Sequence, residues 1–292
     1  MNHALTLVAD RTSTTLSAAL IAQIRDAVPG SGTPDILSPG EAADIPLAAA
    51  PDMAAVWAAI GDAPVDAIPV RTRGRRKGLL IADMDSTIVT GETLDELADF
   101  AGLKAEIAAI TKRSMNGELD FAAALRLRVS MLKGLQLDAL EKTWARVALT
   151  PGARELVATM RAHNALTALV SGGFTFFTAR VKDWVGFDVH RSNVLIDDGT
   201  ALTGEVEEPI LDRDGKLATL RELAGARKLQ LGATLAVGDG ANDLAMLREA
   251  GLGVAFHAKP IVAAQARVRI DHADLRALLF AQGYRLADIV LP

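Results

Sequence analysis

Leu79-Leu80-Ile81-Ala82-Asp83-Met84-Asp85-Ser86-Thr87 sets an unbroken apolar run directly against two carboxylates and two hydroxyls. A run apolar at every position suits a strand covered on both faces, as in the parallel sheet of an α/β protein. Similar short runs return at residues 166–170, 235–237 and 252–256, each ending in polar residues or glycine. The reading from residue 78 onward is therefore a doubly wound α/β core. In such a sheet, ligands bind outside the carboxyl ends of the strands, which is where Asp83 and Asp85 fall.

Working outward, about eighty residues separate the first of these strands from the second, far more than one crossover helix needs. Helical spacing at 93–101, 104–113, 121–132 and 138–147 predicts an inserted helical cap over residues 92–148. The core then comprises 78–91 and 149–292. Upstream, residues 3–9 read as a strand and 15–27 as a helix. Strands at 35–37 and 45–48, a helix at 52–60 and a strand at 65–70 follow, giving a small α+β domain of order βαββαβ over residues 1–70. All the candidate chemical groups lie beyond Gly78, so the small domain is expected to fold separately. Arg71, Arg73, Arg75, Arg76 and Lys77 mark a basic linker at 71–77, which reads as solvated in preference to a contact for a phosphate-bearing partner.

Composition excludes several function classes. Half of the 292 residues are hydrophobic and 23% are charged, as in ordinary soluble proteins. A net charge of −5 and a pI near 5.6 give no broad positive field for nucleic acid or an anionic membrane. With no cysteine there is no disulfide, thiolate nucleophile or Cys-ligated zinc. His3, His163, His190, His257 and His272 form no i, i+4 pair, which disfavours zinc hydrolysis, and no P-loop is present. Neither a signal peptide nor an apolar run long enough to span a bilayer is evident, so a cytoplasmic location is expected.

Alternation in an extended segment places Asp83 and Asp85 on one side, one suited to act as nucleophile or metal ligand and the other as acid or base. Gly238-Asp239-Gly240-Ala241-Asn242-Asp243 follows the third run, with carboxylates suited to Mg2+. It is a poor dinucleotide fingerprint, because Asp243 stands where a third glycine would approach the pyrophosphate. Ser171 and Gly172, after the second run, offer a hydroxyl and free amides to a phosphate. They do not form a serine-hydrolase elbow, since Leu169 replaces the required glycine. Lys216, early in a helical stretch, is a compact cation. Taken singly, each stretch equally fits an ordinary polar turn, a helix cap or a surface lysine.

Together and in this order, the DMDST stretch, Ser171, Lys216 and GDGAND resemble the four motifs of the haloacid dehalogenase superfamily. Within it they resemble most closely the phosphoserine phosphatase family, through Glu92 in TGETLDE, Met115, Phe121, Arg128 in RVSMLKGL, VSGGF, LTGEVE and AKPI. The resemblance covers about residues 78–280. One departure is that Lys216 follows Asp214 and Gly215 in place of the usual alanine-containing approach. In element order alone, the N-terminal segment is similar to the ACT-like regulatory domain of some bacterial members.

The resemblance implies hydrolysis of O-phosphoserine, a small-molecule substrate, with Mg2+ as cofactor. Asp83 would be the nucleophile and Asp85 the general acid/base. Metal would be held by Asp83, the backbone carbonyl of Asp85, Asp239 and, at least through water, Asp243. Ser171, Gly172, Lys216 and Asn242 would bind phosphate. Glu92 would take the substrate ammonium and Arg128 its carboxylate, with Met115 and Phe121 beside them. For Glu92 and Arg128, a structural salt bridge is the competing reading. Another small phosphomonoester or acceptor alcohol, or a catalytically silent regulatory protein, stand as the alternative functions. A homodimer through the N-terminal domain is the expected assembly.

Overall fold

Apolar residues recur at every second position of the first strand, β1 (His3–Ala9), and Leu5, Leu7 and Ala9 join one buried cluster. That alternation seats two helices on the sheet. In the computed structural model, which describes residues 1–291, β1 lies between β3 (Ala42–Leu47) and β4 (Val65–Arg71), both antiparallel to it, and β2 (Asp35–Ser38) edges β3. Helices α1 (Ala18–Ala27) and α2 (Met53–Ile60) supply Ile24 and Val56 to the cluster. Each starts at a capping side chain. Ser17 accepts the Leu20 N–H and Asp52 accepts the Ala54 N–H, satisfying donors that a helix start leaves orphaned. The observed order is the expected βαββαβ, with ends shifted by one to three residues.

This sheet belongs to a compact unit comprising Met1–Gly78, Pro151–Ala165 and the chain from Val268 onward. Its second face is also buried, and it sets polar residues among apolar Ala4, Val8, Ile68 and Val70. Thr6, Asp44 and Asp66 are all buried there. The Asp66 carboxylate accepts three backbone N–H groups, from Asp271, His272 and Ala273. Arg75 does not behave as a solvated linker residue. Its guanidinium reaches Asp44 Oδ1 at 2.8 Å and Thr6 Oγ1 at 2.6 Å, and its Nε donates to Ala281 O at 2.7 Å. Arg276, also buried, pairs with Glu41 at 2.8 Å. Buried polar groups of this kind are tolerated because their partners are present.

The second unit comprises Leu79–Thr150 and Leu166–Arg267. Its sheet strands are β5 (Leu79–Ala82), β6 (Leu166–Phe174) and β7 (Val189–Asn193), then, beyond a hairpin of β8 (Leu195–Asp197) and β9 (Leu202–Val206), β10 (Thr234–Gly238) and β11 (Leu252–Phe256). The five sheet strands run parallel in the order β11-β10-β5-β6-β7. All four residues of β5, the central strand, are buried, as its uninterrupted apolar run requires. Leu220 and Leu223 of the helix Arg213–Ala226 and Met246 of the helix Leu244–Glu249 pack with Leu79, Ile81, Ala168 and Val170.

The predicted insertion is present as α3 (Thr93–Asp99), α4 (Lys104–Met115), α5 (Phe121–Ser130) and α6 (Asp138–Trp144). Its two connections to the core run side by side. Val89 bridges Leu149 antiparallel, Thr90 N–H donates to Ala148 O, and Thr150 N–H donates to Ile88 O. Among the described residues no helix is long and apolar enough to cross a membrane.

Replacing Asp66 with alanine strips the acceptor from three amides in a buried setting. Such a loss is expected to cost about 3 kcal/mol. Urea unfolding of Asp66→Ala checks this, and a loss below about 1 kcal/mol would show that the carboxylate is dispensable to the sheet.

Candidate active site

The strands set the position of the site because three of them run out at the same sheet edge. β5 ends at Ala82, and the Asp83 N–H still donates to Val237 O at 3.0 Å, so Asp83 is held as a continuation of the sheet. The chain then turns instead of staying extended. Ser86 adopts a left-handed backbone (φ 54°), its N–H donates to Gly91 O at 3.1 Å, and Val89 N–H closes back on Met84 O at 3.0 Å. Simple strand alternation therefore does not relate Asp83 to Asp85, although both line one cavity. The turn brings Asp85 Oδ1 to the Thr93 N–H at the start of α3, at 2.9 Å.

After β10 the chain folds so tightly that Asp243 lies against Gly238. A β-carbon on that glycine would stand 2.3 Å from Asp243 Cγ. Asp243 Oδ2 accepts the N–H groups of Asp239 (3.1 Å) and Gly240 (3.0 Å). Its Oδ1 meets Lys216 Nζ at 2.7 Å, and Lys216 Nζ also lies 2.7 Å from Asp83 Oδ1. Lys216 has no solvent exposure. It sits on the first turn of the helix Arg213–Ala226, whose start is fixed by Asp212 accepting the Asp214 and Gly215 N–H groups. The unusual Asp214-Gly215 approach thus still delivers the lysine to the two aspartates.

Electrostatics follow from this packing. Burial alone would push the Lys216 ammonium down, but Asp243 and Asp83 outweigh it and hold the lysine charged. Burial, and then Asp243, push the Asp83 carboxyl well up. Desolvation, reinforced by Glu92, pushes Asp85 up to about 7, where a carboxyl group can both give and take a proton near neutrality. Asp239 is likewise pushed up to about 7 by burial and then by Glu92, against Lys259.

Oxygens of Asp83, Asp239 and Asp243 lie within 4.8 Å of one another. Asp239 Oδ2 and Asn242 Oδ1 are buried without a hydrogen bond, although Lys259 Nζ stands 3.0 Å from the former. Hard oxygen donors crowded in this way, with carboxyls resisting ionisation for want of positive charge, fit a divalent cation such as Mg2+.

On the β6 side, Ser171 Oγ accepts the Gly173 N–H at 2.9 Å, which leaves its own proton free to donate. The cap closes directly on these loops. A β-carbon on Gly172 would stand 2.4 Å from Phe121 Cζ, and one on Gly240 would stand 2.9 Å from Met115 Sδ. Glu92 Oε1 accepts the Ser86 hydroxyl at 2.8 Å, and Arg128, buried in α5, donates to Thr111 Oγ1 and Ala124 O. Arg128 and Glu92 are not paired by a salt bridge with each other; both line the cavity. Of the residues singled out from sequence, all but Lys216 and Asp243 line it, and those two lie beneath it against Asp83. Sequence reasoning gave no role to Lys259, although its place just past β11 is the same signal that picked out Asp83. Asp95 falls inside the TGETLDE stretch but was given no role, and Thr111 carried no sequence signal beyond being polar in a helix.

Haloacid dehalogenase-like hydrolases match this chain over residues 80–248. Phosphoserine phosphatase of Methanocaldococcus jannaschii is 41% identical over 205 residues, which is 70% of this chain and 97% of that protein. A solved phospho-aspartyl intermediate analogue of phosphoserine phosphatase is 42% identical, with a TM-score of 0.67, over 70% of this chain and 98% of its own. The unliganded structure of a probable phosphoserine phosphatase from Vibrio cholerae is 30% identical with a TM-score of 0.77. It covers 98% of this chain and 88% of its own.

Removing the buried cation leaves Asp83 and Asp243 facing each other unpaired. Lys216→Met is expected to destabilise the metal-free protein by about 3 kcal/mol or more, read by urea unfolding. A change within about 0.5 kcal/mol would mean that the ammonium does not hold the two aspartates together.

Proposed function

We propose that this chain, which belongs to the haloacid dehalogenase-like hydrolases, hydrolyses O-phosphoserine to serine and phosphate through an aspartyl-phosphate on Asp83, with Mg2+ as cofactor. The observation that carries this reading is the placement of Asp83. It ends the central strand, is held at 2.7 Å by a wholly buried lysine, and opens on a cavity shared with Asp85. The similarity to phosphoserine phosphatases, one of them solved as a phospho-aspartyl intermediate analogue, supports the substrate and the intermediate.

A carboxylate oxygen of Asp83 attacks phosphorus in line, a P–O bond to Asp83 forms, and the bond to the seryl oxygen breaks. Asp85 gives its proton to the departing oxygen. As a carboxylate it then takes a proton from the water that hydrolyses the acyl phosphate, returning both aspartates to their starting state. Lys216, the Ser171 hydroxyl, the Gly172 amide and the Asn242 side chain face the phosphoryl oxygens and offset their charge. Asp83, Asp239 and the backbone carbonyl of Asp85 would hold Mg2+, with Asp243 supporting them, and the ion would supply the positive charge that lets a carboxylate approach an anion.

Specificity belongs to the cap. Glu92 receives the ammonium and Arg128 the carboxylate of the substrate, and a cap closed by Phe121 and Met115 keeps water out during transfer to Asp83. A substrate missing either group leaves one of these charges unpaired in a desolvated site.

Phosphate release from a panel of esters tests the proposal. Asp83→Asn is expected to abolish turnover and acid-stable phosphoenzyme, and Asp85→Asn to slow turnover by roughly 10²–10⁴. EDTA should silence the enzyme, Mg2+ restore it, and Ca2+, with its longer bonds and higher coordination, inhibit. O-Phosphoserine should exceed phosphoethanolamine and 3-phosphoglycerate in kcat/KM. Equal values for the three esters would leave an aspartate phosphatase without the phosphoserine assignment, and near-normal turnover by Asp83→Asn would remove the mechanism.

A further inference from the structure

Three buried polar residues, one from each of α3, α4 and α5, form a hydrogen-bonded chain of which the proposed reaction uses only Arg128. Thr111 donates its hydroxyl proton to Asp95 Oδ1 at 2.6 Å, with Ile107 O a second, longer acceptor at 3.1 Å. From the facing helix, Arg128 Nη1 donates to the same hydroxyl oxygen at 2.9 Å. Thr111 is 4% exposed, Asp95 9% and Arg128 3%.

A hydroxyl carries one proton and two lone pairs. While Asp95 holds that proton, only lone pairs face the guanidinium, so the oxygen is fixed as an acceptor toward Arg128. Arg128 Nε is committed as well, to Ala124 O at 3.2 Å one turn back in its own helix. A guanidinium is planar and rigid, so fixing two of its N–H groups fixes the direction of the rest. Arginine otherwise loses much side-chain freedom when it is ordered by a ligand. The Asp95 carboxylate also places negative charge near a guanidinium that must remain buried when no substrate is bound.

We infer that Asp95 and Thr111 are positioning residues that preset Arg128 for the carboxylate of the substrate. Discrimination between phosphomonoesters with and without a carboxylate is then set in part by a hydroxyl that never touches the substrate. The inference rests on the proposed role of Arg128 and adds what makes that arginine selective: its orientation is complete before the ligand arrives, so less of the binding interaction is spent on ordering it.

The test compares kcat/KM for O-phosphoserine and phosphoethanolamine in Thr111→Val, Thr111→Ser, Arg128→Ala and the double variant Thr111→Val/Arg128→Ala. Thr111→Val is expected to lower the ratio of the two values about tenfold, mainly through KM for O-phosphoserine. Thr111→Ser, which keeps the hydroxyl, should restore it to within about twofold, and Thr111→Val should change nothing further once Arg128 is alanine. Should Thr111→Val not fold, Thr111→Ala gives the same comparison. An unchanged ratio in Thr111→Val, an equal loss on both esters, or a full additional loss in the double variant overturns the inference. If Arg128→Ala collapses the ratio while Thr111→Val does not, the role of Arg128 stands and only the positioning chain falls. If Arg128→Ala leaves the ratio intact, both fall.

Discussion

An ammonium with no access to water cannot keep its charge unless anions surround it, and Lys216 keeps its charge because Asp83 and Asp243 both lie 2.7 Å away. Most of the catalytic half of the molecule is arranged to satisfy that condition. Asp83 must sit where β5 ends, and its backbone bond to Val237 holds it there. Asp243 must fold back against Gly238, which only a residue without a β-carbon permits. The helix carrying the lysine must begin where Asp212 caps it. Three elements far apart in sequence are thereby fixed to one nitrogen. Of the carboxyls gathered there, Asp83 and Asp239 are those whose ionisation burial resists, and their oxygens crowd with those of Asp243, which is the setting a divalent cation relieves.

Chemistry and recognition are separated in the fold. Groups that would handle phosphorus and protons come from the sheet edge, while Glu92 and Arg128 come from helices inserted after β5. The cap meets the core through side chains laid on bare backbone, Phe121 on Gly172 and Met115 on Gly240. Such contacts are apolar and need no matching hydrogen bonds. The paired connections at Val89 and Leu149 add backbone bonds, and Glu92 to Ser86 and Glu141 to Arg180 add polar ties between insertion and core.

Much of this was legible in the sequence because parallel strands buried on both faces leave continuous apolar runs, and functional groups follow where those runs stop. That logic set Asp83, Ser171 and Asp239 at strand ends, while their roles came only from the family resemblance, since each stretch alone also fits an ordinary turn. Lys216 was different. Nothing in a helix start announces that a lysine will be wholly buried, and only its company in the family pattern singled it out. The turn at Ser86 was also hidden, since serine seldom adopts a left-handed backbone and carries no mark of doing so. Arg75 was misread for a general reason. A basic run between domains looks solvated, and its buried partners, Thr6, Asp44 and the carbonyl of Ala281, are scattered along the chain. Thr111 and Asp95 illustrate the same limit, because a polar pair that meets only after two helices pack has no local signature.

The sheet of β1 to β4 is completed by residues 205 to 207 positions further along the chain than the aspartate they meet. One face of β1, β3 and β4 packs on α1 and α2, while Asp66 on its other face and Glu41 beside β3 find their partners in Asp271 to Ala273 and in Arg276. During synthesis the ribosome releases the N-terminal sheet long before those partners exist. Until then Asp66 and Glu41 are without those partners, although Thr6 and Asp44 already have Arg75 within reach. Completion of the N-terminal unit is consequently a late event, reached only when the C-terminal stretch has left the exit tunnel. A chain cut short near its end would carry every proposed catalytic residue and still lack a finished first domain.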